Sequence, residues 1–228
     1  GSVPTSQSAV DANGFASAAL QYDFDVHSGE TKEFHIAVPF HQWSGSPTPN
    51  MRDGADIYTS LAFNATRQFW ESRLDNFQIQ LPASAQPIIN TIKTNIGYIF
   101  INRDGAGIQP GSRSYERSWI RDGSLTSAAM LQLGIKDEVR EFIDWYAQHQ
   151  FENGKVPCVV DSRGADATNE HDSHGQLIYV IKEYFNFTKD TTWLRGKFNH
   201  VVKTVEFVRS LRKERKTETY RGEIGRAS

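Results

Sequence analysis

Several features that mark common functional classes are missing from this chain of 228 residues. Its single cysteine, Cys158, excludes an intrachain disulfide framework and a zinc site built from several thiolates. The 25 basic and 27 acidic residues give a net charge of −2, without the basic excess typical of nucleic-acid-binding proteins. No stretch approaches about 18 consecutive apolar residues, and the first residues lack the pattern of a signal peptide. We therefore expect a soluble chain with neither a nucleic-acid nor a membrane partner, in a compartment that the sequence leaves open.

Sequence patterns for nucleotide cofactors and for a common nucleophile are missing as well. The chain holds no G-x-x-x-x-G-K-[ST] loop, no G-x-G-x-x-G fingerprint and no G-x-S-x-G elbow. These absences remove the usual support for ATP-dependent, nicotinamide-dependent and α/β-hydrolase activities. No metal-binding motif of defined spacing occurs either, so we expect neither a cofactor nor a metal.

Residues 1–50 are predicted to hold a β-hairpin that needs further packing. Apolar and polar residues alternate over 19–26 and again over 34–40, and the segment between them has turn composition. Two strands alone bury too little apolar surface to be stable. Beyond this region the apolar spacing becomes helical, which predicts a helical linker over 51–86 and a helical domain over 87–228.

Five helices are predicted after the linker, and they alternate in character. Three carry apolar residues on one face only, as expected for helices on the outside of a structure: 87–101, 136–150 and 191–212. Two are apolar on nearly all sides, as expected for helices enclosed by others: 122–133 and 173–187. This alternation predicts a mainly α fold built as a two-layer helical toroid, with a plain helical bundle as the alternative.

Two glycines have expected roles at the predicted inner helices. Gly134 is placed to end the first inner helix, because glycine adopts a left-handed conformation at little cost. Gly175, in the second inner helix, is expected to let another element approach closely.

Two long polar loops lead into the predicted inner helices: 102–121 and 151–172. In a toroid of alternating helices both loops lie at the same end. Long loops that are rich in turn and polar residues usually carry function, so we expect the site there.

The first loop ends in the run Glu116-Arg117-Ser118-Trp119-Ile120-Arg121-Asp122. An aromatic ring can stack on the apolar face of a sugar, and an arginine with a carboxylate can hold its hydroxyl groups. The run therefore favours a sugar-binding site. The structural alternative is that Asp122 caps the helix while Arg117 or Arg121 pairs with Glu116, and that Trp119 belongs to the core.

The second loop gathers Glu170, His171, Asp172 and His174. One of its carboxylates can serve as the proton donor or the water activator of a hydrolase. The same ligand types suit a metal, although the spacing matches no metal motif. The third interpretation is helix-start chemistry, with Asp172 or Ser173 as the cap and the histidines bonded to the loop.

Residues 114–123, with the sequence SYERSWIRDG, resemble six-hairpin glycosidases. This (α/α)6-barrel class includes glucoamylases, disaccharide phosphorylases and glycogen-debranching-type enzymes. The similarity runs from about Phe69 to Arg215. Residues 102–113 and 156–175 resemble one bacterial branch of the class. In glucoamylase-like members a Trp-x-Arg-Asp run opens the first inner helix, and its Arg and Asp hold the sugar where cleavage occurs. The resemblance implies those roles for Arg121 and Asp122.

The resemblance implies a carbohydrate-active module of the inverting glycoside hydrolase type, with a glucoside-like oligosaccharide as substrate. The acid/base candidates are Glu170 and Asp172, with Glu116 behind them. The substrate-binding candidates are Trp119, Arg121, Asp122, Arg117, His171 and His174. The alternatives are a sugar-binding or scaffold fragment without catalysis, and a phosphorylase whose phosphate pocket would use Arg113, Arg117 and Arg121.

The predicted helices are too few to close a barrel of six hairpins. The chain is therefore expected to be an internal fragment, made of a β-hairpin from a preceding β-sandwich, a linker and a partial (α/α)6 toroid. An open toroid leaves apolar edges exposed on both inner helices. Self-association is one way to cover them.

Overall fold

The computed structural model describes residues 8–19, 21–34, 36, 55–75, 77–214 and 216–218. Within them the α-helices are α1 (Ala55–Leu74), α2 (Gln86–Ile101), α3 (Ile120–Gln132), α4 (Asp137–Ala147), α5 (Asp172–Thr188) and α6 (Thr191–Glu214). The short strands are β1 (Arg103–Asp104), β2 (Gly107–Ile108), β3 (Ser118–Trp119), β4 (Val159–Asp161) and β5 (Gly164–Ala165). Single 3-10 turns lie at Ala83–Ala85 and Arg113–Tyr115.

The mainly helical class predicted from the sequence is confirmed. The five predicted helices are present as α2 to α6, with ends within three residues of the predicted ones. Internal contacts divide the chain into two units, Gly1–Asn64 and Ala65–Ser228. The predicted boundaries after residues 50 and 86 stay predictions.

Within the described residues, the predicted β-hairpin is present only as its turn. The Glu30 N–H donates to the carbonyl oxygen of His27 at 3.0 Å, and the His27 N–H donates to the Glu30 carboxylate at 3.1 Å. Gly29 takes a left-handed φ of +83° inside this turn. The described residues on either side of the turn form no strand, although the ring of Phe24 lies 4.7 Å from that of Phe34. Part of the predicted strands lies outside the described residues: 20, 35 and 37–40.

The core is built on the contact between α3 and α5, which is the most extensive helix pair in the described chain. Helix α4 packs on both of them, and α6 packs on α5. The core side chains are fully or almost fully buried and include Met130, Leu131, Phe142, Tyr146, Leu177 and Ile181. The Ser124 hydroxyl in α3 donates to the Gln176 carbonyl oxygen in α5 at 3.1 Å, which ties the two helices together.

The sequence overstated how completely α3 and α5 are enclosed. Each keeps one large apolar side chain in solvent, since Leu125 is 58% exposed and Phe187 is 41% exposed. These are apolar edges of the kind expected for an incomplete toroid. In α2 the buried residues are Ile89 and Ile96, while Ile88 is exposed.

In this part of the fold one glycine ends a helix and another allows close packing of a ring. Gly134 ends α3 with a φ of +81°, as predicted, and the Ile135 N–H closes the motif on the Met130 carbonyl oxygen at 3.0 Å. The predicted close approach at Gly175 is wrong, because a Cβ there would meet nothing within 4 Å. The crowded helical glycine is Gly123, where a Cβ would lie 2.1 Å from the ring of Phe142.

The segment before β4 is fixed on α6 in a similar way. A Cβ on Gly154 would lie 2.1 Å from the carbonyl oxygen of Lys203. Nearby, the Gln150 side-chain amide donates to the Gly154 carbonyl oxygen at 3.0 Å and to the Thr204 hydroxyl at 2.8 Å. This polar contact holds the start of the second loop in place.

Two glycine substitutions should have opposite effects on stability. Gly123→Ala places a methyl group 2.1 Å from the Phe142 ring and should lower the free energy of unfolding by about 2–3 kcal/mol or more. Gly175→Ala adds a methyl group in open space within α5 and should raise it by roughly 0.5–1 kcal/mol. Urea unfolding followed by circular dichroism measures both, and equal effects of the two variants would contradict the packing described for Gly123.

Candidate functional site

The two predicted loops meet because β3 pairs antiparallel with β4. Ser118 lies opposite Val160, and Trp119 lies opposite Val159. This pairing places Arg117 beside the second loop, where its Nε donates to Asp161 at 2.8 Å and its Nη2 to Asp166 at 3.2 Å. The expectation that both loops lie at one end of the helical layer agrees with these contacts.

A second set of contacts, here named the Arg121 cluster, consists of Arg121, Asp122, Glu170 and Asp172. The Nη1 atom of Arg121 donates to Glu170 Oε2 at 3.0 Å and to Asp172 Oδ2 at 3.1 Å. Asp122 Oδ2 lies 3.9 Å from the Arg121 Nε. Hydrogen bonds to Glu170 and Asp172 raise the pKa of Arg121 above its ordinary value, so this cation is permanent. The four side chains are 35–43% exposed and therefore open to a ligand.

The Arg121 cluster retains unused hydrogen-bonding capacity. A guanidinium group has five N–H donors, and each carboxylate has two acceptor oxygens. Among the described residues, Arg121 Nη2 and the second oxygens of Glu170 and Asp172 have no hydrogen-bond partner. Donors and acceptors therefore stand side by side, which suits groups such as hydroxyls that do both.

The helix-capping alternative for these acidic residues is wrong. Trp119 and His171 occupy the N-cap positions of α3 and α5, and neither helix has a side-chain capping bond. The expected alternative pairing of Glu116 with a neighbouring arginine is also wrong, because Arg117 and Arg121 pair with carboxylates of the second loop. The carboxylates of the second loop are thus ion-pair partners of Arg117 and Arg121, and Asp122 and Asp172 lie in the first turns of α3 and α5.

One carboxylate oxygen of Glu170 and one of Asp172 lie close together, because both contact the same nitrogen of Arg121. Their Oε2 and Oδ2 atoms both contact one nitrogen of Arg121, so they lie at most about 6 Å apart. Inverting glycosidases keep their two carboxyl groups roughly 6.5–9.5 Å apart to make room for water. The distance between these two oxygens lies below that range.

Trp119 and His171 lie at the edge of this region. The half-buried Trp119 ring lies 6.2 Å from the Tyr115 ring and 5.3 Å from the Arg117 guanidinium carbon. It therefore supports the Arg117 side chain. His171 is exposed at the start of α5, where a ligand can reach it.

His174 does not fit the predicted substrate-binding role, because its side chain is buried. It is 3% exposed, its ring packs 4.9 Å from that of Phe207, and its Nδ1 accepts a hydrogen bond from the Val156 N–H at 3.3 Å. Burial, with smaller contributions from His171 and Lys155, lowers the pKa of His174 to about 4. The histidine thus bonds the loop, as one of the sequence interpretations proposed.

A cleft of about 800 Å³ lies along the two loops. Its charged lining residues are Asp104, Arg113, Glu116, Arg117, Asp161 and Arg163. Trp145 of α4 also lines it, whereas no member of the Arg121 cluster does. The predicted residues Glu116 and Arg117 therefore face this cleft, apart from the other candidates.

Asp161 is the most constrained charge in the cleft. The Arg163 guanidinium donates to it at 2.6 Å, the Arg163 N–H at 2.8 Å, and Arg117 also donates to it. These bonds, with Arg163 as the largest cause, hold the pKa of Asp161 well below its usual range. Asp161 is thus an ionised bridge between two arginines.

Sequence reasoning missed Asp104, Trp145, Asp161 and Arg163 as site residues. The only signal in the sequence was the acidic and basic composition of the turn at 161–164, which is common on protein surfaces. Trp145 lies on a helix assigned to the outside. The β3–β4 pairing brings the turn that holds Asp161 and Arg163 to the first loop.

Comparisons with known proteins add no assignment to this site. No family model, no curated protein and no solved structure matches the chain. In the part of the chain that the structure describes, no group of three or more His, Cys, Asp or Glu residues is arranged to hold a metal ion. None of the described helices combines the length and apolar character needed to cross a bilayer.

His174 should make folding sensitive to acid. Because its pKa is lowered in the folded state, the unfolded state binds more protons between about pH 6.5 and pH 4, and stability falls as the pH falls through this range. The loss should be roughly 3 kcal/mol, at about 1.4 kcal/mol per unit of pKa shift.

The His174→Asn variant keeps an acceptor for the Val156 N–H but does not titrate in this range. Its free energy of unfolding, measured by urea titration at several pH values, should therefore depend less on pH than that of the parent chain. The exposed His27→Asn variant serves as the control. A His174→Asn variant with the same pH dependence as the parent would contradict the role given to burial.

Proposed function

We propose that this chain is a carbohydrate-active module similar to inverting glycoside hydrolases of the six-hairpin class, and that the Arg121 cluster binds a sugar residue. The observation that carries the proposal is the unused donor and acceptor capacity of this half-exposed cluster. Each hydroxyl of a sugar both donates and accepts a hydrogen bond. A guanidinium group flanked by three carboxylates offers hydrogen-bond donors and acceptors within the span of one sugar ring.

The charge balance of the cleft supports a neutral ligand. Three arginines and three acidic residues line it, so its formal charges cancel. Trp145 adds an aromatic surface on which an apolar sugar face can stack. A neutral, polyhydroxylated ligand fits this combination better than a phosphate ion.

The same contacts weaken the phosphorylase alternative. A phosphate pocket needs uncompensated positive charge. Arg117 and Arg121 already donate to carboxylates, and Arg113 is the arginine of this set that has no such partner among the described residues. Hydrolysis therefore has more support than phosphorolysis.

For catalysis, we propose that Glu170 or Asp172 activates water and that a more distant carboxyl group protonates the leaving oxygen. Within this chain Glu116 is the candidate acid, because it lines the cleft beside the cluster's loop and has no ion-pair partner among the described residues. If no carboxyl group of this chain supplies the proton, the site binds sugar without turnover.

The proposed fold is a partial (α/α)6 toroid. The contact of α3 with α5 and the packing of α4 and α6 against this pair support an inner pair with outer helices. The loops that carry Arg121 and Glu170 lead into the two proposed inner helices. This is the end at which the resemblance places the sugar.

The test is a panel of oligosaccharides and aryl glycosides, with and without phosphate, measured for binding by calorimetry and for turnover. Asp122→Asn should weaken binding about tenfold or more, because a charged hydrogen bond is worth roughly 1.5–3 kcal/mol. Its thermal stability should not change. One of the variants Glu170→Gln and Asp172→Asn should abolish any turnover, while the control variant Glu206→Gln, on the exposed face of α6, should change neither property.

The outcomes separate the alternatives. Binding without turnover supports the sugar-binding module. Release of a sugar phosphate only when phosphate is present supports a phosphorylase. Unchanged affinity in Asp122→Asn would sink the assignment of the Arg121 cluster as the sugar site.

A further inference from the structure

The segment 166–171, here named the strap, connects β5 to α5 and is held without apolar packing. None of its six residues is buried. Its backbone is tied at both ends, where the Asp166 N–H donates to the Val159 carbonyl oxygen at 2.9 Å and the Ser173 N–H donates to the Glu170 carbonyl oxygen at 3.2 Å. The middle of the strap therefore depends on contacts made by side chains.

Three cations from three different parts of the fold make those contacts. Arg117, before β3, donates to Asp166, and Arg121, in α3, donates to Glu170. Lys155, before β4, donates to the Ala167 carbonyl oxygen and to Asn169 Oδ1 at 2.6 Å. Within the described chain, the strap's hydrogen bonds to α3 and to the segments before β3 and β4 are all made by these three cations.

Contacts of this kind are individually weak and sensitive to salt. The Arg117–Asp166 and Arg121–Glu170 pairs are partly exposed, and exposed pairs contribute little because solvent screens them. The Debye length falls from about 30 Å at 0.01 M salt to about 3 Å at 1 M. A segment with few buried contacts also opens more readily than the helices around it.

We propose that the strap is a charge-held latch that opens locally and thereby releases Glu170 from Arg121, whose Nη1 atom keeps its hydrogen bond to Asp172. The latched state is the one in the structure, with Nη1 shared between Glu170 and Asp172. A role of this opening in ligand entry rests on the proposed function. The latch itself does not, because it follows from the contacts of the strap alone.

The experiment is limited proteolysis by a glutamyl endopeptidase, which cleaves after Glu170 only when the strap is open. When opening is fast relative to cleavage, the rate reports the open population. Lys155→Met removes one cation and two hydrogen bonds. It should raise the cleavage rate at Glu170 roughly three- to tenfold at low salt.

The control is Lys182→Met, which removes a more exposed lysine from α5, away from the strap, and should leave the rate within about twofold of the parent. Raising the salt from about 0.02 M to about 0.5 M should accelerate cleavage of the parent chain, after normalisation to an unstructured peptide of the same sequence. The assay contains no sugar, so its result is independent of the sugar-binding test.

Two results would overturn the latch. One is a cleavage rate at Glu170 that neither Lys155→Met nor salt changes. The other is a parallel rise in cleavage after Glu138 in α4 and Glu183 in α5, because this would show unfolding of the whole domain in place of local opening.

Discussion

The rest of the site depends on the pairing of β3 with β4, two very short strands from loops far apart in the sequence. This pairing brings Arg117 and Arg121 of the first loop against the carboxylates of the second. Without it, each loop would carry unbalanced charge beside a helix start. With it, Arg121 joins the starts of α3 and α5, and Arg117, which lines the cleft, bonds to Asp161 and Asp166.

Packing against α4 explains the order of residues at the start of α3. Asp122 and Gly123 are neighbours in sequence but serve different surroundings. Asp122 belongs to the Arg121 cluster, while Gly123 gives the Phe142 ring room to lie against α3. The two requirements, a carboxylate on one side and no side chain on the other, together position the start of α3 for the site.

The sequence predicted the parts of the fold that repeat regularly. Helices α2 to α6 follow from apolar spacing over 11 or more residues, and the end of α3 follows from Gly134. Strands of two or three residues are too short to show an alternating pattern, so the β3–β4 pairing was missed. The alternation near Phe24 predicted strands that the described residues do not form, because an alternating pattern needs a surface to pack on.

The candidate site was predictable in composition and only partly in arrangement. Arg121 and Glu170 belong to loops that helix alternation placed at one end. Burial of His174 could not be foreseen, because a histidine near a helix start has the same sequence signal whether it faces solvent or the core. The partners of Arg117 depend on strand register, which the sequence did not reveal.

The ionised Asp161 has a consequence for how such a cleft can change during evolution. It is the shared partner of Arg117 and Arg163, and the formal charges lining the cleft cancel only while it is present. Replacing this one carboxylate with a neutral residue would leave Arg163 without its partner, leave Arg117 with Asp166 alone and give the cleft a positive charge. A single substitution could therefore turn a cleft suited to a neutral ligand into one suited to an anion, with the surrounding helices unchanged.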